Sequence, residues 1–264
     1  MTSAGMLIPF TKASACGNDF LIIDGSVLPE RLSEFTQRIC DRHNGVGADG
    51  VEWLFPAQGA DIEARLINAD GSEAEISGNG TRCVAAFLCA EREKESVVIR
   101  TGAGVKTCTL TARTGASYEF ETAMGAPEVG PAKGIRTSFG EVEGIPVSMG
   151  NPHFVTFVDE FWPDWQARAA EIQRDPCFPH GVNVEIVVVK NSGEVDVRFY
   201  ERGVGETQSS GTGSSAAAVA AITSGRAKSP LRVQAPGGAQ LVRLEEDVFL
   251  RGPAVLICQG EFFV

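Results

Sequence analysis

The sequence predicts a mixed α/β fold made of two similar strand-rich halves, each wrapped around a central buried helix. Three observations carry that prediction. First, residues 1–90 recur at about 145–220. Gly17-Asn18 meets Gly150-Asn151, Val51-Glu52 meets Val184-Glu185, Asn68 meets Glu201, Glu73 meets Glu206 and Ser77 meets Ser210, each pair 133 positions apart. Second, short runs rich in β-branched residues are punctuated by Gly, Pro and Asp, which is the pattern of strands and turns. Third, each repeat contains one stretch that is apolar on nearly every face, the mark of a helix buried all round.

In chain order, the strand-like runs are Leu21–Ile23, Val51–Phe55, Ala64–Ile67, Val97–Ile99, Val155–Val158, Val184–Val189, Val195–Phe199 and Ala254–Ile257. One helix is expected from Thr81 to Arg92, carrying Val84 to Ala90, and the other from Ser214 to Ser224, with Ala216 to Ile222 apolar throughout. The Gly- and Pro-bearing stretch Met124–Gly134 is the expected linker. The halves are then 1–123 and 124–254, with residues 255–264 returning as a strand to the first. A length of 264 residues suits two such domains, each able to bury a core.

With 34 acidic and 23 basic residues the net charge is −11. This offers no positive field to a phosphate backbone or an anionic lipid surface, so nucleic acid and membranes are excluded as expected partners and small molecules favoured. Seven cysteines at irregular spacing, with no C-x-x-C, indicate neither a disulfide framework nor a zinc site. No signal pattern is read in Met1–Ala15 and no apolar run is long enough to span a bilayer, so the expected location is the cytoplasm.

The repeat delivers two matching turns, Ser77-Gly78-Asn79-Gly80 and Ser210-Gly211-Thr212-Gly213, each at the start of an expected helix. The first N–H groups of a helix lack internal partners and sit at the positive end of its dipole, and glycine lets a ligand approach them closely. Two such ends can grip a carboxylate and stabilise the enolate-like charge formed when the adjacent carbon loses its proton. The ordinary alternative is that both serines are simple N-caps. Duplication in register, with Gly-x-Gly after each, favours a ligand site. Gly45-Val46-Gly47-Ala48-Asp49-Gly50 matches G-x-G-x-x-G, but a strand-like run follows it where a dinucleotide site needs a helix, so it is assigned to a turn. Neither serine lies in the G-x-S-x-G elbow of a hydrolase.

Lys12–Phe20, Asp41–Gly50, Asn68–Glu73, Gly78–Cys83, Met149–His153, Gly181–Asn183 and Glu201–Thr207 together resemble the ordered segments of the diaminopimelate epimerase family over essentially the whole chain. The resemblance implies that family's fold and an isomerase that interconverts L,L- and meso-diaminopimelate without cofactor or metal, in lysine and peptidoglycan synthesis. Two bases on opposite faces of the α-carbon exchange one proton, in a site expected between the halves. The implied partner is a small-molecule amino acid, with a homodimer left open. Position by position, the resemblance assigns the reacting carboxylate to the backbone amides of Gly78, Asn79, Gly211 and Thr212. The distal amino-carboxylate goes to Asn18, Asn68, Asn151, Asn183, Glu201 and Arg202. An Arg fork suits a carboxylate, while a carboxylate and amide oxygens suit an ammonium. His153 and Glu201 lie at positions that support the bases as proton relays, whereas His43 and His180 are assigned structural roles.

The resemblance also implies that positions 77 and 210 hold the two catalytic bases as cysteines, and here both are serine. A thiol ionises near pH 8.5 and a water-like hydroxyl near 15.7, a gap of roughly seven units or about 10 kcal/mol as an upper bound. The expectation is weak or absent epimerisation. The serines fit a paired replacement, a divergent member with another substrate or proton transfer, or a protein that binds without turnover. Ser209, Ser214 and Ser215 make the second loop serine-rich in any case. Cys16 stands as a substitute thiol or as a small apolar filler.

Overall fold

The computed structural model describes residues 7–26, 31–92 and 94–264. Residues 1–6, the start of the stretch read for a signal pattern, lie outside the described residues. The chain divides into two compact units, one of Met1–Thr122 with Gly252–Val264 and one of Ala123–Arg251.

The first unit runs β1 (Leu7–Ala15), β2 (Asn18–Asp24), α1 (Leu32–Cys40), β3 (Gly50–Phe55), β4 (Ile62–Asn68), β5 (Glu73–Ala74), α2 (Gly78–Arg92), β6 (Ser96–Thr101), β7 (Gly104–Thr114) and β8 (Ser117–Gly125). Cys16 and Gly17, both at positive φ, close the β1–β2 hairpin as a two-residue turn. β2 and β3 are parallel, joined through α1, and β3 pairs antiparallel with β4. β3 is buried on both faces. Val51 and Trp53 join the cluster with Phe35 and Ile39 of α1, while Leu54 joins the cluster around Cys83–Cys89 of α2. Glu52 sits among these apolar neighbours on the same strand, 3% exposed.

The second unit runs β9 (Glu128–Val129), β10 (Lys133–Thr137), β11 (Gly140–Ser148), β12 (Pro152–Phe157), α3 (Trp165–Gln173), β13 (Asn183–Asn191), β14 (Glu194–Glu201), β15 (Gly205–Thr207), α4 (Gly211–Thr223), β16 (Leu231–Ala235), β17 (Gly238–Leu244) and β18 (Val248–Phe263). β18 pairs with β17 through Val248–Arg251 and, after Gly252, with β1 in the first unit's fold. The element bounds follow the 133-residue spacing closely: β1 and β11, like α1 and α3, start and end 133 residues apart. The parallel pairing Phe20↔Gly50 recurs as His153↔Asn183.

Each unit has the central helix that the sequence predicts. Cys83–Ala86, Leu88 and Cys89 of α2 and Ala216–Ala221 of α4 are buried within clusters formed with the surrounding strands. Both helices begin three residues earlier than predicted, at Gly78 and Gly211, so the glycines of the two turns form the first helical turn. The short helices α1 and α3 were not foreseen. Each has nine residues and only four buried positions, too brief a pattern to stand out beside strands. Met124–Gly134 follows directly on the boundary between the units and holds the end of β8, all of β9, which pairs with β11, and the start of β10.

Candidate active site

The first turns of α2 and α4 are built alike. The Ser77 hydroxyl accepts the Gly80 N–H at 3.1 Å, and the Ser210 hydroxyl accepts the Gly213 N–H at 3.1 Å. The carbonyls of Ser77 and Ser210 accept from Thr81 and Ser214, four residues on, at 2.8 and 3.0 Å. The serines are therefore caps in the ordinary sense. Among the described residues, the N–H groups of Gly78, Gly211 and Thr212 have no acceptor in the protein. A side chain on Gly78 would meet nothing within 4 Å, and one on Gly211 only Leu250 at 3.2 Å.

A pair of side chains flanks each turn in the same way. Asn79 Nδ2 donates to Asn18 Oδ1 at 3.3 Å, and, one repeat later, Asn151 Nδ2 donates to Thr212 Oγ1 at 3.5 Å. In the first unit Asn18 Nδ2 also donates to Asp49 at 2.6 Å, and Asp49 is held by Arg42 at 2.8 Å. Arg42 and Lys12 both pair with Asp19, at 2.7 and 2.9 Å. Burial opposes the Asp19 carboxylate, but the hydrogen bonds from Arg42 and Lys12 prevail and hold it below the ordinary range. This charged scaffold fixes the orientation of Asn18. Asn68 lies at the end of β4, where its amide donates to Ser72 Oγ at 3.0 Å.

The second unit adds a buried acid–base cluster. His153 bridges Glu185 Oε1 at 2.7 Å through Nδ1 and Asn151 Oδ1 at 2.9 Å through Nε2. His153 is 1% and Glu185 0% exposed. Burial pushes the Glu185 carboxyl up, opposed by His153. Glu201 accepts from Thr207 Oγ1 at 2.6 Å and from the Ser210 hydroxyl; burial pushes its carboxyl up too, against the pull of Thr207, His153 and Ser210. Glu185, His153, Asn151 and Thr212 thus form one hydrogen-bonded chain, and Glu201 with Thr207 and Ser210 a second set that feels the charge of His153. Carboxyls raised toward neutrality suit acid–base work.

Asn183 is 6% exposed; its Oδ1 accepts the Arg202 backbone N–H at 2.9 Å and its Nδ2 donates to Pro152 O at 3.0 Å, so its side chain ties the start of β12 to the turn after β14. The Arg202 guanidinium is exposed and donates to His180 O at 3.3 Å, beside a cleft of about 350 Å³ that it lines with Phe178 and Gly181. His43 and His180 are exposed. Cys16 is buried with its thiol 4.0 Å from Arg82; burial outweighs that charge and pushes its pKa up, which suits a filler better than a base.

Ser77, Ser210, His153 and Glu201 were legible in the sequence, whereas the partners of His153 and Asn18 and the carboxyl against Gly80 were not. Glu185 and Glu52 were visible only as repeat anchors, and Asp49 only as part of a glycine-rich turn. The missed signal was an acidic residue inside each of two otherwise apolar strands, at matching positions of the repeat.

The family model for diaminopimelate epimerase matches residues 10–129 and 145–257. The chain belongs to the diaminopimelate epimerase family. It is 36% identical over 277 residues to the diaminopimelate epimerase of Desulforudis audaxviator, covering 96% of this chain and 98% of that one. It is likewise 36% identical over 283 residues to diaminopimelate epimerase 1 of a Nostoc species, covering 97% and 100%. The fold also matches solved structures. A phenazine biosynthesis protein of the PhzF family from Bacillus anthracis superposes with a TM-score of 0.74 at 18% identity, covering 98% of this chain and 100% of that one. A hydroxyproline epimerase from Agrobacterium vitis gives 0.68 at 18% identity, covering 97% and 91%. At such identities the likeness concerns the fold. Among the described residues, no helix is long and apolar enough to cross a membrane and no cluster of three or more His, Cys, Asp or Glu could hold a metal ion.

Proposed function

We propose that this member of the family acts on diaminopimelate as a cofactor-independent, two-base epimerase, in lysine and peptidoglycan synthesis in the cytoplasm, and that serine at both base positions makes it weak or silent. The observation that carries the reading is the duplicated helix start, with its capping serine, first-turn amides and flanking Asn18–Asn79 or Asn151–Thr212 pair. In this reading the amides of Gly78, Asn79, Gly211 and Thr212 take the reacting carboxylate and stabilise the charge that develops as the α-proton leaves. Ser77 and Ser210 are the residues this reading assigns as the two bases. Glu201, in contact with Ser210, and His153, backed by Glu185, relay the proton on one face. Asn18, Asn68, Asn151, Asn183 and Arg202 read the distal amino-carboxylate, with Arg202 as its anion partner.

A second reading, binding without turnover, is favoured by the capping bonds, because a hydroxyl engaged by a helix amide is a poor base. Incubation with diaminopimelate in heavy water separates the two. The epimerase reading expects deuterium at the α-carbon by mass spectrometry, however slowly it appears. Saturable binding with no label after prolonged incubation would establish the silent protein, and absence of binding would remove diaminopimelate as the ligand.

A further inference from the structure

Glu52 is a buried carboxyl to which the proton path above gives no task. Its register partners are Ile22 on β2 and Leu66 on β4, both buried and apolar. Its carboxyl lies against the first turn of α2. A side-chain carbon placed on Gly80 would fall 2.0 Å from Glu52 Oε1 and 3.3 Å from Ser77 Cβ. The carboxyl and Ser77 therefore lie close to one point, and only a residue without a side chain at position 80 leaves room for both. The arrangement is repeated in the other unit, where a carbon on Gly213 would fall 2.9 Å from Glu185 Oε1, with Ser210 three residues before it. There the carboxyl is bonded to His153. The matching position in the first unit is Phe20, so Glu52 has no imidazole.

We propose that Glu52 is a positioning residue for proton transfer at position 77: its carboxylate takes up the proton that the Ser77 hydroxyl releases as that hydroxyl removes a proton from bound substrate. The role rests on the assignment of Ser77 to one face of the α-carbon. The substrate C–H bond breaks and its electron pair stays on the substrate as the enolate-like anion. The proton forms a new O–H bond at Ser77 Oγ, while the original hydroxyl proton passes to a Glu52 oxygen; the reverse transfer restores both groups. A serine that is a poor base alone becomes workable when a carboxylate with a pKa near the working pH accepts its proton.

Burial pushes Glu52 up to about 8, which puts its titration in a useful range. Cys83 of α2 feels the charge of Glu52 together with that of Arg82, Cys16 and Asp19. Cys83 is pushed up by burial and stays a thiol, and the Arg82 guanidinium is taken by Asn79 Oδ1 and Pro253 O. Asp19 is committed to Lys12 and Arg42.

The test needs no substrate. Iodoacetamide alkylation of the thiol introduced by S77C, followed by peptide mass spectrometry from pH 5.5 to 10, gives a midpoint for that residue alone. Removing the neighbouring negative charge with E52Q should lower the midpoint by about one pH unit, while the midpoint for S210C should not move with E52Q. Equal midpoints for S77C with and without E52Q would overturn the proposal. Should E52Q fail to fold, the carboxyl carbon of Glu52, labelled with carbon-13 and followed by NMR in folded S77C, serves instead. Its titration should shift when the introduced thiol is alkylated, and an unchanged titration would overturn the proposal equally. If diaminopimelate proves not to be the ligand, only the functional reading falls, because neither measurement involves it.

Discussion

The first turns of α2 and α4 share a skeleton and differ in a few side chains, and the difference shows what duplication keeps and what it frees. Both have a capping serine, a glycine three residues on, and a carboxyl from the preceding parallel strand pair against that glycine. These features are set by backbone geometry and by the space beside the helix axis, so both copies carry them. At the position equivalent to His153 the first unit has Phe20, and at that of Glu201 it has Asn68. The second unit thus carries a Glu–His–Asn chain and a Ser–Glu contact, whereas the buried Glu52 of the first unit has phenylalanine at the matching histidine position. One scaffold presents two different proton environments.

The sharpest way to break this comparison is to remove the two carboxyls in turn. Glu185→Leu strips His153 of its buried partner and should destabilise the protein by about 3–5 kcal/mol in urea unfolding at pH 7. Glu52→Leu should do the opposite. Its folded pKa, about 8, lies above the ordinary 4.5, so the folded state holds a proton that the unfolded chain loses. Its contribution is complete below pH 4.5 and is lost as the pH rises through 8. At pH 7 the leucine variant should be more stable than its parent by about 3 kcal/mol, with the gain vanishing near pH 4. A gain independent of pH would mean that Glu52 does not titrate in this window.

A smaller contrast separates Asn79 from Thr212. Asn79 accepts from the buried Arg82 guanidinium as well as donating to Asn18, so Asn79→Ala should cost about 1.5–3 kcal/mol. Thr212→Ala loses one bond of 3.5 Å and should cost less than about 0.5 kcal/mol. Similar losses from the two variants in thermal unfolding would show that the turns are supported alike. The smallest effect is expected at Arg202, whose exposed guanidinium makes a single bond within its unit. Arg202→Ala should weaken diaminopimelate binding about tenfold by calorimetry with little change in stability.

Much of this could be read from the sequence because the signals were local and repeated. The 133-residue spacing, the all-apolar helix faces and the Ser-Gly-x-Gly turns each survive in a single chain. The early start of both helices was missed because Gly78 and Gly211 read as loop residues, although a first turn does not require side-chain propensity. The brief helices α1 and α3 left too short a pattern. The support residues escaped for another reason. Nothing near Glu185 in the sequence announces that His153 will lie 2.7 Å away across a parallel strand pair, and nothing near Asp49 announces its hold on Asn18.

The central claim, that residues 77 and 210 stand where the two bases act, is tested most directly by S77C combined with S210C. Everything else the reaction needs is assigned to residues that stay in place, and the change replaces one atom in each side chain. Chiral chromatography of diaminopimelate over time should show epimerisation rising by at least about a thousandfold over the parent, since a thiol ionises near pH 8.5 and a hydroxyl does not. Each single replacement should give far less net inversion, with deuterium wash-in revealing exchange on one face. A double variant that folds, binds diaminopimelate and remains inert would contradict the account.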